Sequence, residues 1–386
     1  MNEIKAVFDI GNDSIKAVIF ANDNGKETIL AKQIEPSFLK KGKILDAERF
    51  TTTINKIVEN FSKKLGGDFI ENVVISLSHP EMIISRIYES KRILQEEVTE
   101  DDADHLSRII DDISGKDNYE TLKILPVCRI IDEEKREKDP VGLKCKKLEL
   151  VADVFMIPKN FHTGLTDAFD KVGLNIIDII PNIMATPEIC IDYDHKDLGT
   201  LLIDIGKNQT SYVVYEEGYA VAYGTIPLGE DVTKDISIMQ VDIKDAEEIK
   251  RTLGTALMTE DIMTDTEMDV AFLSEIINAR YEEIFNKIIT RLQKIDKDRL
   301  PGGVLLVGGG SKMNNLDLLA KVLFRLSASY AKDITMNIDL GNNSQFINLL
   351  AAYYRSNKYM DIDSRKISFK PGKFIGKITD FFKSLV

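Results

Sequence analysis

A chain of 386 residues, 44% hydrophobic and 29% charged, can bury a sizeable core in two domains or in two halves of one fold that share a cleft. Its formal net charge of −13 excludes general binding to DNA or RNA, whose phosphates demand a basic surface. No run approaches the ~18 consecutive apolar residues of a spanning helix, and the opening MNEIKAVFDIG enters a strand pattern without the marks of a signal peptide, which predicts a cytoplasmic protein. The cysteines, Cys128, Cys145 and Cys190, are odd in number and lack CxxC spacing, as expected of buried thiols rather than a disulfide framework or zinc site.

In chain order, Ala6 to Phe20 (AVFDIGNDSIKAVIF) reads as an apolar strand reaching Asp-Ile-Gly, a polar turn and a second β-rich run, the pattern of a hairpin. Arg49 to Leu65 is apolar at helical spacing and stops at Gly66-Gly67, and Asn72 to Ser78 reads as a buried strand. From about His79 to Ile157 short β runs (Met82 to Tyr88, Leu122 to Ile131, Leu148 to Ile157) surround one helix opened by Thr99-Glu100-Asp101-Asp102, which resembles a capping box. This predicts an inserted α+β subdomain over 79–158, between a first half spanning 1–78 and its return over 159–195. A helix near Asn160 to Val172 and a strand Asn175 to Ile180 complete that return.

Leu201 to Tyr215 (LLIDIGKNQTSYVVY) then repeats the hairpin, and both the Asp and the Gly recur at the same interval of 195 residues. A repeat at that distance predicts two related halves facing each other. The second half, 196–356, holds helices over Lys244 to Leu253 and Phe272 to Ile295 in a small subdomain at about 235–300. A strand Val304 to Val307, the run Gly308-Gly309-Gly310 and a helix to Arg325 follow. Alternating strands and helices imply α/β halves with helix-covered sheets. Residues 357–371 read as a flexible linker and 372–386 as an amphipathic helix.

Asp9 and Asp204 are hard oxygen ligands of the kind a nucleotide-bound Mg²⁺ needs near its phosphates, reaching the ion through water. Gly11 and Gly206 let backbone approach phosphate, the turn at Asn12, Asp13 and Asn208 can aim N–H groups at it, and Ser14, Thr210 and Lys16 add donors and a point charge. The plainer alternative is that each Asp fixes a turn and Lys16 lies on the surface. The triglycine, ending an apolar strand before a helix, could let a nucleoside lie against backbone, or could mark tight packing; it is neither a P-loop nor GxGxxG.

Two Asp-x-Gly hairpins with a late strand ending in Gly-Gly-Gly resemble the phosphate and adenosine motifs of the actin, sugar-kinase and heat-shock chaperone superfamily. Within it the chain resembles the FtsA family of bacterial actin-like cell-division proteins nearly end to end. Supporting segments are VFDIGNDSIKAVIF, EEVTEDDADHL (Glu96 to Leu106), DPVGLKCKKLEL (Asp139 to Leu150), DAEEIKRTLGTAL (Asp245 to Leu257), EIINARYEEIF (Glu275 to Phe285) and LLVGGGSKMNNL. The resemblance implies an actin-like, ribonuclease H-like duplicated ATPase fold with an SHS2-like insert, ATP and Mg²⁺ as ligands, and self-association into filaments. Glu247 and Lys250 match positions facing the nucleoside, with an exposed salt-bridged pair as the alternative. Arg280 and Glu283 match the subdomain that receives the C-terminal tail of FtsZ, the tubulin-like division protein, with solvated surface charges as the alternative. Other division proteins are possible partners.

Two departures stand out. The usual Asp-Ile-Gly-Gly-Gly-Thr is here Asp204-Ile205-Gly206-Lys207-Asn208-Gln209-Thr210, so Thr210 stands one residue later than the common threonine. Hydrolysing relatives carry a Gln or Glu near Pro181 to Ala185 to orient water, where Asn182 is closest here, which predicts weak ATP hydrolysis.

In KFIGKITDFFKSLV, Phe374, Ile375, Ile378, Phe381, Phe382, Leu385 and Val386 form one apolar face, opposite Lys373, Lys377, Asp380 and Lys383. From Arg365 to the end six basic residues oppose one acid, a local +5 that predicts an interfacial anchor on an anionic membrane surface. The family resemblance agrees, since its members end in such a helix, and it implies the cytoplasmic face of the cell membrane at the division site. A helix docked on the core is the alternative. The overall expectation is an ATP-binding scaffold tethering FtsZ filaments to the membrane. Its rivals are a PilM-like component of a type IV pilus platform and a small-molecule kinase, the latter lacking an aspartate base in Pro181 to Thr186.

Overall fold

The computed structural model describes residues 3–23, 26–67, 70–95, 97–227, 231–239, 242–258, 269–335, 338 and 344–363. The expected terminal helix, 372–386, lies outside the described residues, as do the membrane-facing side chains assigned to it.

Each half is built on a five-stranded sheet, and the two sheets share one topology. In the first, the Asp9 strand Glu3–Ile10 is central, hydrogen-bonded antiparallel to Ser14–Asp23 and parallel to Asn72–Leu77, with Lys26–Pro36 and Asn175–Pro181 at the edges. In the second, Thr200–Ile205 is central, antiparallel to Thr210–Glu216 and parallel to Gly303–Val307, with Tyr219–Ile226 and Ala328–Tyr330 at the edges. The hairpin turns close alike: Gly11 N–H donates to Ser14 O at 3.1 Å, and Gly206 N–H to Gln209 O at 2.9 Å. The expected duplication is thus present in strand order, pairing sense and turn closure.

Side-chain alternation along the central strands decides what faces what. Phe8 and Ile10 pack outward against Phe50, Ile54, Ile57 and Phe61 of the helix Ala47–Lys64 and against Leu165 and Phe169 of the helix Lys159–Lys171. Asp46 caps the first of these, accepting from Arg49 N–H, and Gly66 and Gly67, both with positive φ, end it. In the second half Leu201, Ile203 and Ile205 pack outward against Leu273, Ile277, Tyr281, Ile284 and Ile288 of the helix Val270–Lys294. The intervening residues Val7 and Leu202 belong instead to one core between the halves, filled by Ile183 and Met184 of the helix Asn182–Cys190 and Leu349, Leu350 and Tyr353 of the helix Ile347–Asp363. Asp9 and Asp204 share the strand parity of Val7 and Leu202, so both point between the halves.

The helix Ile347–Asp363 follows the second half in sequence but packs on the first sheet, with Tyr353 stacked on Phe20 at 4.1 Å between ring centroids. It also runs through residues 357–363, expected as the start of the linker.

The insert forms a sheet of its own, ordered Ile83–Arg92, Lys147–Pro158, Tyr119–Ile131, Lys135–Glu137, and packs the helix Glu100–Ile113 on it. The anticipated capping box is formed: Thr99 Oγ1 accepts from Asp102 N–H, and the Asp102 carboxylate accepts from Thr99 N–H. Arg86 fastens the insert to the second half. Its guanidinium holds the buried Asp153 carboxylate through two bonds of 2.7 and 2.8 Å and donates to Ala220 O and Val221 O.

Candidate functional site

The two hairpins, the triglycine turn and the helix Ile243–Thr252 surround one cleft of about 540 Å³, within the range of small-molecule sites. Asp9, Gly11, Asn12, Asp13, Ser14 and Lys16 line it from the first half. Asp204, Gly206, Asn208, Glu247, Lys250, Gly308, Gly309 and Gly310 line it from the second, and Asn182 lies at its base.

Each acidic residue is held by one asparagine. Asn182 Nδ2 donates to Asp9 Oδ1 at 3.3 Å while its Oδ1 accepts from Ser76 Oγ at 2.6 Å. Asn348 Nδ2 donates to Asp204 Oδ2 at 3.1 Å while its Oδ1 accepts from Thr186 Oγ1 at 2.8 Å. Both asparagines sit in the first turn of a helix that follows the last strand of its half, in Asn182-Ile183-Met184-Ala185 and Asn348-Leu349-Leu350-Ala351. This is a second internal repeat, overlooked in reading the sequence, and comparing the two post-strand segments would have found it. The Asn182 amide, expected near a water-positioning slot, is engaged with Asp9 and Ser76.

Burial drives the pKa of Asp204 up to about 6, with the Asp9 charge adding to the rise and Asn348 and Lys16 opposing it. Lys16 Nζ stands 2.8 Å from Asp9 Oδ2. Burial works against its charge, but Asp9, Asp204 and Asp13 together hold its pKa above the ordinary lysine value. On the facing wall Glu247 accepts from Lys250 Nζ at 2.6 Å, from Thr233 Oγ1 at 2.6 Å and from Arg251 Nε at 2.8 Å. Burial disfavours the Glu247 charge, yet these donors bring its pKa down to about 2. The pair is salt-bridged and lines the cleft, with side chains 17% and 23% exposed rather than standing free in solvent.

One expectation is corrected. Thr210 does not line the cleft; it begins a strand paired to Ile205 and Ile226 and is fully buried. The residue that reaches the cleft is Gln209, in the slot of the common threonine; its Nε2 donates to Ser211 Oγ at 3.3 Å and to Ser78 Oγ, and its Oε1 is buried without a partner among the described residues. The triglycine lines the cleft and also packs closely on the neighbouring hairpin. A Cβ on Gly308, whose φ is +93°, would stand 2.2 Å from Asp204 Oδ1, and one on Gly310 would stand 2.5 Å from Ile205 Cγ2. Only Gly309 is open, with nothing within 4 Å of an added Cβ. Asn12 lines the cleft, and its side-chain oxygen accepts from Gly42 N–H at 3.1 Å. Cleft residues missed from sequence include Lys207, Arg251, Lys312 and Asn348. The first three are isolated cations with no periodicity to mark them.

Among the described residues no group of three or more His, Cys, Asp or Glu could hold a metal ion, and no helix is long and apolar enough to cross a membrane.

The family model described as "Cell division protein FtsA" matches residues 201–351, and that of the "SHS2 domain inserted in FTSA" matches residues 82–156. The Cell division protein FtsA of Enterococcus faecalis is 28% identical over 376 residues, covering 92% of this chain and 83% of its own length. The chain belongs to the FtsA family. Its fold is shared with a chain of the PilM-PilN type IV pilus biogenesis complex, with TM-score 0.67 and 18% identity over 91% of this chain and 98% of that one. MreB5 of Spiroplasma citri bound to ADP matches with TM-score 0.56 and 13% identity over 95% and 99%. At these identities the likeness is one of fold alone: an actin-like ATPase fold carrying the FtsA insert. In this FtsA chain Arg280 and Glu283 lie on the helix Val270–Lys294 and are bonded to each other at 2.6 Å. Arg280 also reaches Asp235 at 2.7 Å, and Lys287 reaches Glu283 at 2.7 Å.

Proposed function

We propose that this FtsA-family chain binds ATP with Mg²⁺ in the cleft and acts as a scaffold that self-associates and links the FtsZ C-terminal tail to the cytoplasmic membrane face. The observation that carries the reading is that Asp9 and Asp204, 195 residues apart, line one cavity together with both glycine turns. Two carboxylates, with no cluster of three or more His, Cys, Asp or Glu among the described residues, suit Mg²⁺, which keeps several waters and completes its shell with phosphate oxygens. Asp9 and Asp204 would hold that hydrated ion, Lys16 would neutralise phosphate charge, and Glu247 and Lys250 would face the nucleoside. The bound ion would supply charge neutralisation at the phosphates.

Hydrolysis is slow on this reading. The Asn182 amide is already spent on Asp9 and Ser76, and Pro181 to Thr186 offer no carboxylate base. Steady-state turnover on the order of 1 per second would contradict it. At Arg280, whose side chain is 22% exposed, a carboxylate of the tail would compete with Asp235 and Glu283 for the guanidinium. The membrane contact rests on the sequence of 372–386, with its apolar face and local positive charge.

Three binding measurements on the full chain test the proposal: a fluorescent ATP analogue, FtsZ tail peptide, and co-sedimentation with anionic vesicles beside a chain ending at residue 371. Binding of all three, with vesicle binding lost on truncation, is expected. Retained vesicle binding after truncation removes the anchor from the account, and failure to bind the analogue removes the nucleotide.

A further inference from the structure

Five cations line the cleft, Lys16, Lys207, Lys250, Arg251 and Lys312, against four acids, Asp9, Asp13, Asp204 and Glu247, in a chain whose overall charge is −13. Two of these acids are built in: Asp9 with Lys16 and Asn182, and Glu247 with Lys250, Thr233 and Arg251. Asp13 is different. It sits in the turn of the first hairpin, and its carboxylate is bracketed by cations from the other half, with Oδ1 2.6 Å from Lys207 Nζ and Oδ2 3.7 Å from Arg251 Nη2. The side chains of Lys207 and Asp13 are 38% and 45% exposed, so their pair can exchange partners at little free-energy penalty.

The Asp13 carboxylate from the first half, held inside the cleft between Lys207 of the second turn and Arg251 of the helix Ile243–Thr252, stands where an anion with more oxygens would be better bound. Resting on the nucleotide reading above, we propose that Lys207, with Arg251, is a ligand of the terminal phosphate of a nucleoside triphosphate, and that Asp13 competes with that phosphate for them. Lys207 occupies a position where the usual family motif has glycine, so this contact is a property of the present sequence. A terminal phosphate offers three acceptor oxygens and up to two charges, and charge-assisted bonds to it outweigh the half-solvated pair with Asp13. Lys312 reinforces the preference: burial, with repulsion from Lys16 and Arg251, lowers its pKa, and an anion among the three relieves that repulsion.

The two partners have opposite effects. Removing Lys207 weakens triphosphate binding and leaves diphosphate nearly untouched. Removing the Asp13 charge frees Lys207, leaves Arg251 held by Glu247 alone, and strengthens triphosphate binding. Titrating ATP and ADP with Mg²⁺ into wild type, Lys207→Gln, Lys207→Arg and Asp13→Asn by calorimetry reads this directly. Expected are a loss of about tenfold or more in ATP affinity for Lys207→Gln with ADP changed less than about twofold, recovery in Lys207→Arg, and tighter ATP binding in Asp13→Asn. Equal losses for ATP and ADP in Lys207→Gln, or no change in either, would overturn the assignment while leaving the nucleotide cleft standing. If wild type binds neither nucleotide, the reading of the cleft itself fails and this inference with it. Both side chains are half-exposed, and a thermal melt of each variant within about two degrees of wild type confirms that the comparison is between folded proteins.

Discussion

Asp204 is a group whose position opposes folding. Its carboxylate lies between the halves, beside Gly308 and under Asn348, and burial lifts its pKa from 3.8 to about 6. A raised carboxylate pKa means that the folded state holds the proton more tightly than the unfolded chain between those two values. Stability from this group is therefore fully present below about pH 4 and is lost as pH rises through about 6. The shift is about 2 units at about 1.4 kcal/mol each, which makes the ionised carboxylate a penalty of about 3 kcal/mol at pH 7.5. Asp204→Asn removes the titrating charge and keeps an oxygen to accept from Asn348. It is expected to raise the unfolding free energy at pH 7.5 by about 3 kcal/mol, to match wild type below about pH 4, and to abolish Mg²⁺-dependent ATP binding. Urea unfolding of both proteins across pH 4 to 8, compared as a difference so that other titrating groups cancel, gives the curve. A difference that is flat with pH, or an Asn variant less stable than wild type at pH 7.5, refutes the argument that the carboxylate is retained for a ligand at the expense of the fold.

Gly308→Ala, with its Cβ 2.2 Å from Asp204 Oδ1 at a φ of +93°, should lower stability by about 1–3 kcal/mol or more, whereas Gly309→Ala meets nothing within 4 Å and should melt like wild type. Differential scanning calorimetry of the two variants separates a packing glycine from an open one. Arg86→Ala leaves Asp153, 1% exposed, without its partner and unfastens the insert from Ala220 and Val221; chemical denaturation should show a loss of about 3–5 kcal/mol. Cys128, Cys145 and Cys190 are free and buried, and burial raises the pKa of each thiol above the ordinary value. In a thiol-reagent assay all three should react slowly in the native protein and promptly in denaturant.

What was legible in the sequence follows from what is periodic or repeated. The Asp-Ile-Gly hairpins stand out because a strand alternates with period 2 and a tight turn demands glycine, so the shared Asp-Ile-Gly and its flanking apolar runs can be matched between two distant copies. The helix Glu100–Ile113 stands out because its capping residues mark its start. Other features depend on where the chain goes in space. The helix Ile347–Asp363 follows the second half in order yet completes the core beside the first sheet, and no local pattern shows that return. Gln209 lines the cleft where Thr210 was expected, since the second turn is one residue longer than the first and Thr210 already belongs to the buried strand. The triglycine signalled close approach correctly, but the approaching group at Gly308 and Gly310 is the neighbouring hairpin. Asn182 and Asn348 were hidden because one polar residue opening an apolar helix looks like an ordinary helix start. Comparing the two segments pairs them as a repeat, but that each asparagine holds the aspartate of its own half is visible only in space.

The central claim is that both halves grip one nucleotide, and a crystal structure of the full chain with Mg²⁺ and a non-hydrolysable ATP analogue tests it most directly. The account predicts a triphosphate lying between the turn 11–13 and the turn 206–209, with the nucleoside toward Glu247, Lys250 and Gly309. An analogue bound anywhere else, or touching the turn of one half alone, would contradict it.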